Sequence, residues 1–201
     1  MPTQSWSTGE LHAKLRAGTA PAHAALEASM QLLRPPFDLL RCTQLLVRFH
    51  GFHRTWEPAL RGRLPPAAVM EPRLALIEQD LKALGLSRDA IGAIEPCGQA
   101  ASLADEADHA LGSWYVFEGS TLGGRVISKT LAQAPWWPEG GLRFFDPHGD
   151  ATAACWRRTL AQISTAEGDP DRIVTGAVRT FELLNDWLGA PFEGTGRSRS
   201  M

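Results

Sequence analysis

Two short stretches of this 201-residue chain carry residue types and spacings suited to chemistry. The first is Glu118-Gly119-Ser120-Thr121-Leu122-Gly123-Gly124-Arg125, which places three glycines inside an apolar, helix-patterned segment. Each glycine costs a helix interior about 0.8–1 kcal/mol relative to alanine, so the trio costs about 3 kcal/mol. Glycine offsets such a cost where it admits close approach of a helix or ligand to the backbone, or a local kink. Three uses are open to the string. Gly119 and Gly124 have the G-x-x-x-x-G spacing of a phosphate loop, and Trp114-Tyr115-Val116-Phe117 before them has strand character. Arg125-Val126, however, stands where that loop needs Lys-Ser/Thr, which removes the ammonium and the magnesium-binding hydroxyl. Gly119 and Gly123 also form a small-xxx-small pair suited to tight helix packing. The third use is a helix kinked directly over a flat ligand.

The second stretch holds Arg16, His23 and Glu27. His23 and Glu27 stand at i and i+4 and share a helical face. A carboxylate there accepts the imidazole Nδ1–H, directly or through water, which fixes the tautomer and presents Nε2 to a metal. The plainer use of the pair is a solvated surface contact. Arg16, two turns earlier, joins that face only in a continuous helix, and Pro21 interrupts the pattern. His12, His50, His53, His109 and His148 read as surface or core histidines. His50 and His53, at i and i+3, could chelate a metal, but no carboxylate or third ligand is evident beside them.

The elements that must position these residues read as helices. Ser7-Thr8-Gly9-Glu10 is a capping box opening a helix through Leu11, Leu15 and Leu26. Gly18 and Pro21 predict a break near Thr19 and a second helix from about Ala22 to Leu33, stopped by Arg34-Pro35-Pro36. Further patterns cover Leu39–Leu60, Leu74–Leu84, the most apolar segment from Ser102 to about Leu131, Ala151–Ala166 and Pro170–Leu188. Ser87-Arg88-Asp89 caps a short turn, and Ala134–Asp150, rich in Trp, Pro and Gly, is irregular. Only Trp114–Phe117 and Arg143–Phe145 have strand character. With no repeats and no βα alternation, the expectation is an all-α protein with one domain over residues 1–190 and a small, polar, disordered tail over 191–201.

Composition fits that reading. Hydrophobic residues make up 44% and charged residues 21%, which excludes disorder of the whole chain. A net charge of −2 and a pI near 6.3 predict neither a nucleic-acid nor a membrane partner. Arginine supplies nearly all the positive charge, since Lys14, Lys82 and Lys129 are the only lysines. Arginine suits fixed carboxylate recognition. The three cysteines lack CxxC or zinc spacing and read as reduced thiols, so a cytoplasmic location is expected. The first residues lack a secretory pattern and no run approaches 18 apolar residues.

Taken together, the two stretches carry a family resemblance. Leu15-Arg16-Ala17-Gly18-Thr19-Ala20-Pro21-Ala22-His23-Ala24-Ala25-Leu26-Glu27 resembles the proximal helix of haem oxygenases, in which a threonine precedes the iron-binding histidine by four residues and a glutamate follows it by four. Tyr115 to Gly124 resembles the distal helix of that family in its bacterial GSxLGG form, and Ala177-Val178-Arg179-Thr180-Phe181 falls in the matching terminal helix. Order and separation agree from Leu11 to Leu188, and the nearest similarity is to bacterial enzymes that supply biliverdin to bacteriophytochromes.

The resemblance implies a helical bundle with haem b, both substrate and cofactor, sandwiched between proximal and distal helices. With O2 and an external electron donor, haem would be opened to biliverdin, carbon monoxide and ferrous iron. It implies His23 as axial ligand, oriented by Glu27, with Phe181 from the terminal helix also at the haem. Gly119, Ser120, Gly123 and Gly124 would leave the distal side free for oxygen and ordered water. Arg16 and either Arg157 or Arg158 would hold the propionates through bidentate contacts. Ser120 departs from the aspartate of animal members, so it cannot hold water by charge. The implied partners are a ferredoxin- or flavodoxin-type reductase and an apo-bacteriophytochrome as bilin acceptor, with the enzyme a monomer. The alternatives are a non-catalytic haem carrier or sensor of the same fold, haem degradation for iron acquisition, or a purely structural helical domain.

Overall fold

The structure, a computed structural model, describes residues 6–30, 37–66, 68 and 70–190. Along them run the helices α1 Thr8–Met30, α2 Leu39–Arg61, α3 Arg73–Ala83, α4 Arg88–Gly92, α5 Ala107–Leu131, α6 Thr152–Thr165 and α7 Pro170–Gly189. Two 3-10 turns, Gly98–Ala104 and Gly149–Ala151, complete the regular structure. No strand forms among the described residues. Trp114–Phe117 lies inside α5, and Arg143–Phe145 forms part of a turn. The strand-like composition has a physical reason: Ala110 to Glu118 are buried without a break, so this part of α5 is apolar all round.

α7 is the floor of the molecule. Asp169 caps it by accepting from the Asp171 amide at 2.9 Å, and Pro170 occupies its first turn. Ile173, Gly176, Ala177, Thr180, Phe181 and Leu184 form one buried stripe with helical period. α5 crosses this stripe where Gly112 meets Gly176. A Cβ at 112 would overlap the Ile173 carbonyl oxygen, and one at 176 would overlap the backbone of His109. The two helices approach backbone to backbone there, which only glycine allows.

α1 opens as the sequence indicates. The Ser7 amide donates to Glu10 Oε2 at 3.0 Å, and the Glu10 amide donates to Ser7 Oγ at 3.3 Å. The break expected near Thr19 does not occur, and α1 continues through Pro21 to Met30. Leu15 and Thr19 before the proline and Leu26 after it are all buried, while Pro21 is exposed. Packing on both flanks therefore holds the helix across the one amide that proline lacks. The expected stop at Arg34-Pro35-Pro36 and the tail at 191–201 lie outside the described residues.

α2 supplies the aromatic core. Phe49, Phe52, His53 and Trp56 surround Phe117 of α5 and Phe144 of the following loop, with Trp56 and Phe117 ring centroids 4.1 Å apart. The buried Trp56 indole donates to Ser113 Oγ at 2.7 Å, so its one polar atom is satisfied. No helix among the described residues is long and apolar enough to cross a membrane. Because the α5–α7 crossing has no room for a methyl group, Gly112→Ala is expected to cost about 1–3 kcal/mol by overpacking. Urea unfolding should show a lower midpoint at unchanged slope.

Candidate functional site

α1 and α5 both lie on α7 and make little direct contact with each other. α1 runs beside α7 in the same direction: Lys14 pairs with Asp171 at 2.8 Å, Gly18 rests on Val174, and His23 stands against Phe181. The His23 and Phe181 ring centroids are 5.3 Å apart with planes at 80°, so the phenyl edge limits how the imidazole turns. The side chain of His23 is 53% exposed. Its partner Glu27 shares the face, as the spacing predicts. The nitrogen nearest the carboxylate is Nε2 rather than Nδ1, at 3.7 Å from Glu27 Oε1, beyond direct hydrogen bonding. Continuity of α1 also settles the place of Arg16, an exposed residue on the same unbroken helix.

One turn before His23, α1 touches α5. The Tyr115 hydroxyl meets Thr19 and feels the Arg16 charge; burial raises its pKa, and those two neighbours oppose the rise. Trp156 of α6 packs at a tilt against Tyr115, with ring centroids 5.3 Å apart, and edge-to-face against His12 at 5.7 Å. Three helices are thus knitted at this point. Arg157 and Arg158 follow Trp156 on the exposed side of α6, with Arg158 Nη2 at 3.6 Å from Cys155 Sγ. The geometry does not single out one of the two as the companion of Arg16.

Beyond Tyr115 the glycine string separates into three different environments. A Cβ on Gly124 would overlap the carbonyl oxygen of Phe145, so this glycine makes room for a neighbouring turn rather than for a ligand. A Cβ on Gly119 would sit 3.3 Å from the Trp156 ring, a close but partial fit. Gly123 alone faces open space. Leu122 and Val126, 44% and 55% exposed, flank that opening. The Ser120 hydroxyl donates to the Phe117 carbonyl at 2.8 Å, so its proton is engaged and its lone pairs remain.

Behind the string lies a buried ionic cluster that the sequence reading missed. Glu118 accepts from Arg73 at 3.0 Å through Oε1, and its Oε2 lies 3.1 Å from His148 Nε2. Burial alone pushes the Glu118 carboxyl up, but the His148 hydrogen bond and the Arg73 guanidinium outweigh it and hold the group below its ordinary range. His53, for which the sequence left surface and core both open, is fully buried, and burial pushes its pKa down. The expectation that no carboxylate accompanies His50 and His53 is corrected. Glu57 Oε1 lies 3.0 Å from His53 Nδ1, and Glu78 Oε1 lies 3.6 Å from His50 Nε2. The His53/Glu57 spacing repeats that of His23/Glu27 and was visible in the sequence; the Arg73–Glu118–His148 contacts span three distant segments and had no local signal.

Among the described residues no cluster of three or more His, Cys, Asp or Glu side chains could hold a metal ion. A metal bound through exposed His23 must therefore bring its other ligands with it, as a porphyrin does. Exposed His23 with Phe181 beside it on one side, and exposed Leu122, Gly123 and Val126 on α5, are chemically compatible with such a disc. Residues 9–190 match the family model for heme oxygenase, and the chain belongs to that family. Membership makes it a haem-degrading oxidoreductase of a kind that uses oxygen and a redox partner. The solved structure of heme oxygenase from Leptospira interrogans matches with a TM-score of 0.71, covering 89% of this chain and 98% of that one at 19% identity. That likeness shows the same all-α fold. No curated protein matches.

Two outcomes follow from this geometry. Gly124→Ala should cost about 1–3 kcal/mol through overlap with Phe145. Gly123→Ala should instead gain up to about 1 kcal/mol of helix propensity. Urea unfolding of the two variants side by side reads the difference in sign. Separately, a carboxylate whose folded pKa is depressed adds stability above its ordinary pKa and loses it as pH falls through the folded value. Glu118→Gln should therefore be less stable at neutral pH and show a flatter acid limb than wild type, measured by denaturation at stepwise lower pH.

Proposed function

We propose that the chain is a biliverdin-producing haem oxygenase that holds haem b between α1 and α5. The observation that carries this reading is the exposed His23, braced by Phe181, together with an α5 wall open at Gly123 and lined by Leu122 and Val126. Haem, once bound, supplies the iron at which O2 is activated with electrons from an external donor. The residues of the chain bind, orient and exclude. His23 would offer an imidazole nitrogen to the iron, and Glu27, 3.7 Å from the ring, would orient it through water. Phe181 packs against the imidazole edge. Arg16, with Arg157 or Arg158, holds the propionate carboxylates and so sets the rotation of the disc. Gly123 would keep side chains off the other side of the ligand, with the Trp156 ring already seated at Gly119, while Leu122 and Val126 would exclude bulk water. Ser120, its own proton donated to Phe117, offers only lone pairs to an ordered water. Gly124 serves the same wall from behind, by admitting the Phe145 turn.

The products are biliverdin, carbon monoxide and ferrous iron. The electron donor is a ferredoxin- or flavodoxin-type reductase, and the enzyme works as a cytoplasmic monomer. The bacterial form of the Gly119–Gly124 string supports bilin supply to an apo-bacteriophytochrome as its role. The domain comprises residues 1–190, with 191–201 a tail.

Haemin titration should give one-to-one binding, and His23→Ala should change the Soret band. Gly123→Phe should retain the Soret band of wild type yet form little biliverdin or carbon monoxide in the presence of reductant, oxygen and catalase. Unchanged spectra in His23→Ala would remove the axial assignment. Wild type that bleaches haem without forming biliverdin would show a carrier rather than an enzyme.

A further inference from the structure

The turn from Phe145 to Asp150 grips α5 at both ends of its glycine string. At one end His148 bonds Glu118 at 3.1 Å. At the other, Arg125 Nη1 donates to the Gly149 carbonyl at 2.8 Å and Nη2 to Asp150 Oδ1 at 2.6 Å, with Asp146 at 4.0 Å from Nε. Between these two grips the Phe145 carbonyl packs where Gly124 lacks a side chain. Glu118 and Arg125 are seven residues apart, two helical turns, so they project from one face. Leu122, four residues after Glu118, borders that face, whereas exposed Gly123 points to the far side of the helix.

The turn is itself held. Buried Asp80 of α3 accepts from the amides of Arg143 and Phe144, both at 2.8 Å. At the start of α6 the Thr152 hydroxyl lies 2.7 Å from the Gly149 carbonyl and 3.2 Å from Asp146 Oδ1. The most glycine-rich part of α5 has weak intrinsic helicity, and its open side offers no packing. Its rear is clamped by a turn fastened to two other helices.

We propose that the Phe145–Asp150 turn is a splint: it holds the Gly119–Gly124 segment helical from behind and so fixes the height of the Gly123 wall over the haem site, with Glu118, His148 and Arg125 as positioning residues. The splint itself is a property of the substrate-free chain; its consequence for turnover rests on the haem oxygenase reading above. A wall that sags toward the disc would alter where oxygen meets the ring without altering His23 or the propionate contacts.

Hydrogen exchange of the substrate-free protein tests the splint directly. Arg125→Gln and His148→Leu should each speed exchange of the amides of residues 119–126 by about tenfold or more, the loss expected for a hydrogen bond to a charged group. Amides of α7 should stay at wild-type rates. His148→Gln, which keeps a donor toward Glu118, should restore slow exchange. In a second arm, Arg125→Gln and His148→Leu should bind haemin about as tightly as wild type while the rate of ring opening falls and the mixture of biliverdin isomers broadens. Unchanged exchange in both variants overturns the splint. Should His148→Leu fail to fold, Arg125→Gln carries the test with the same criteria, and Asp150→Ala, which removes only an exposed ion pair, should speed exchange by no more than about fivefold. Faster exchange with wild-type isomers and turnover overturns the positioning role. Faster exchange in a protein whose wild type forms no biliverdin leaves the splint standing and removes the enzymatic reading instead.

Discussion

A helix with three glycines in its central turns holds its shape only through what surrounds it, and here the decisive neighbour is a buried charge. Glu118 is 2% exposed and Arg73 is 3% exposed, so neither is tolerable alone. Leaving one member of such a pair unpaired costs about 3–5 kcal/mol, far more than an exposed ion pair contributes. Their bond joins the first turn of α3 to α5, and His148 adds the turn that precedes α6. Three segments remote in sequence are therefore registered on one carboxylate, one residue before the first glycine of the string. The aromatic core around Trp56 and Phe117 lies beside the same point and supplies the apolar burial that the ionic cluster itself does not.

That registration matters because α1 and α5 are held in place mainly through α7 rather than by each other. Both are fastened to α7, α5 by the Gly112–Gly176 crossing and α1 by Gly18 on Val174 and Lys14 on Asp171. They converge at Thr19, Tyr115 and Trp156 and carry His23 and Gly123 beyond that junction. The two walls differ in chemistry. α1 presents an imidazole, a carboxylate and a guanidinium, whereas the exposed part of α5 presents a bare backbone and two aliphatic side chains. Such asymmetry suits a disc that needs a ligand on one face and free space on the other.

Local sequence spacing does not tell where a residue ends up. His23/Glu27 and His53/Glu57 have the same i,i+4 pattern, yet one pair is largely exposed and the other is sealed among phenylalanine and tryptophan rings. The difference lies in the helices. α1 is a peripheral helix with one buried side, while α2 around His53 is enclosed by α5 and the Phe144 turn. The glycines behave alike in this respect: their spacing marks a special segment, and only the neighbours show that Gly124 meets backbone, Gly119 an indole and Gly123 nothing.

The features determined by sequence alone are those with local causes. The Ser7–Glu10 cap, the Asp169-Pro170 start of α7, the buried period of that helix and the irregular stretch after α5 follow from short-range hydrogen bonding and hydrophobic spacing. The two strings that carry the family resemblance are likewise contiguous in the chain. Tertiary structure decided the rest. Pro21 does not break α1 because α7 packs against both sides of it, and Trp114–Phe117 is helical because α5 is buried all round. The ion cluster at Glu118 and the turn that grips α5 depend on contacts across 24 to 45 residues, which no periodicity encodes. Burial of a charge is a property of the whole packed molecule, and it appears only when the distant segments that pay its desolvation are brought together.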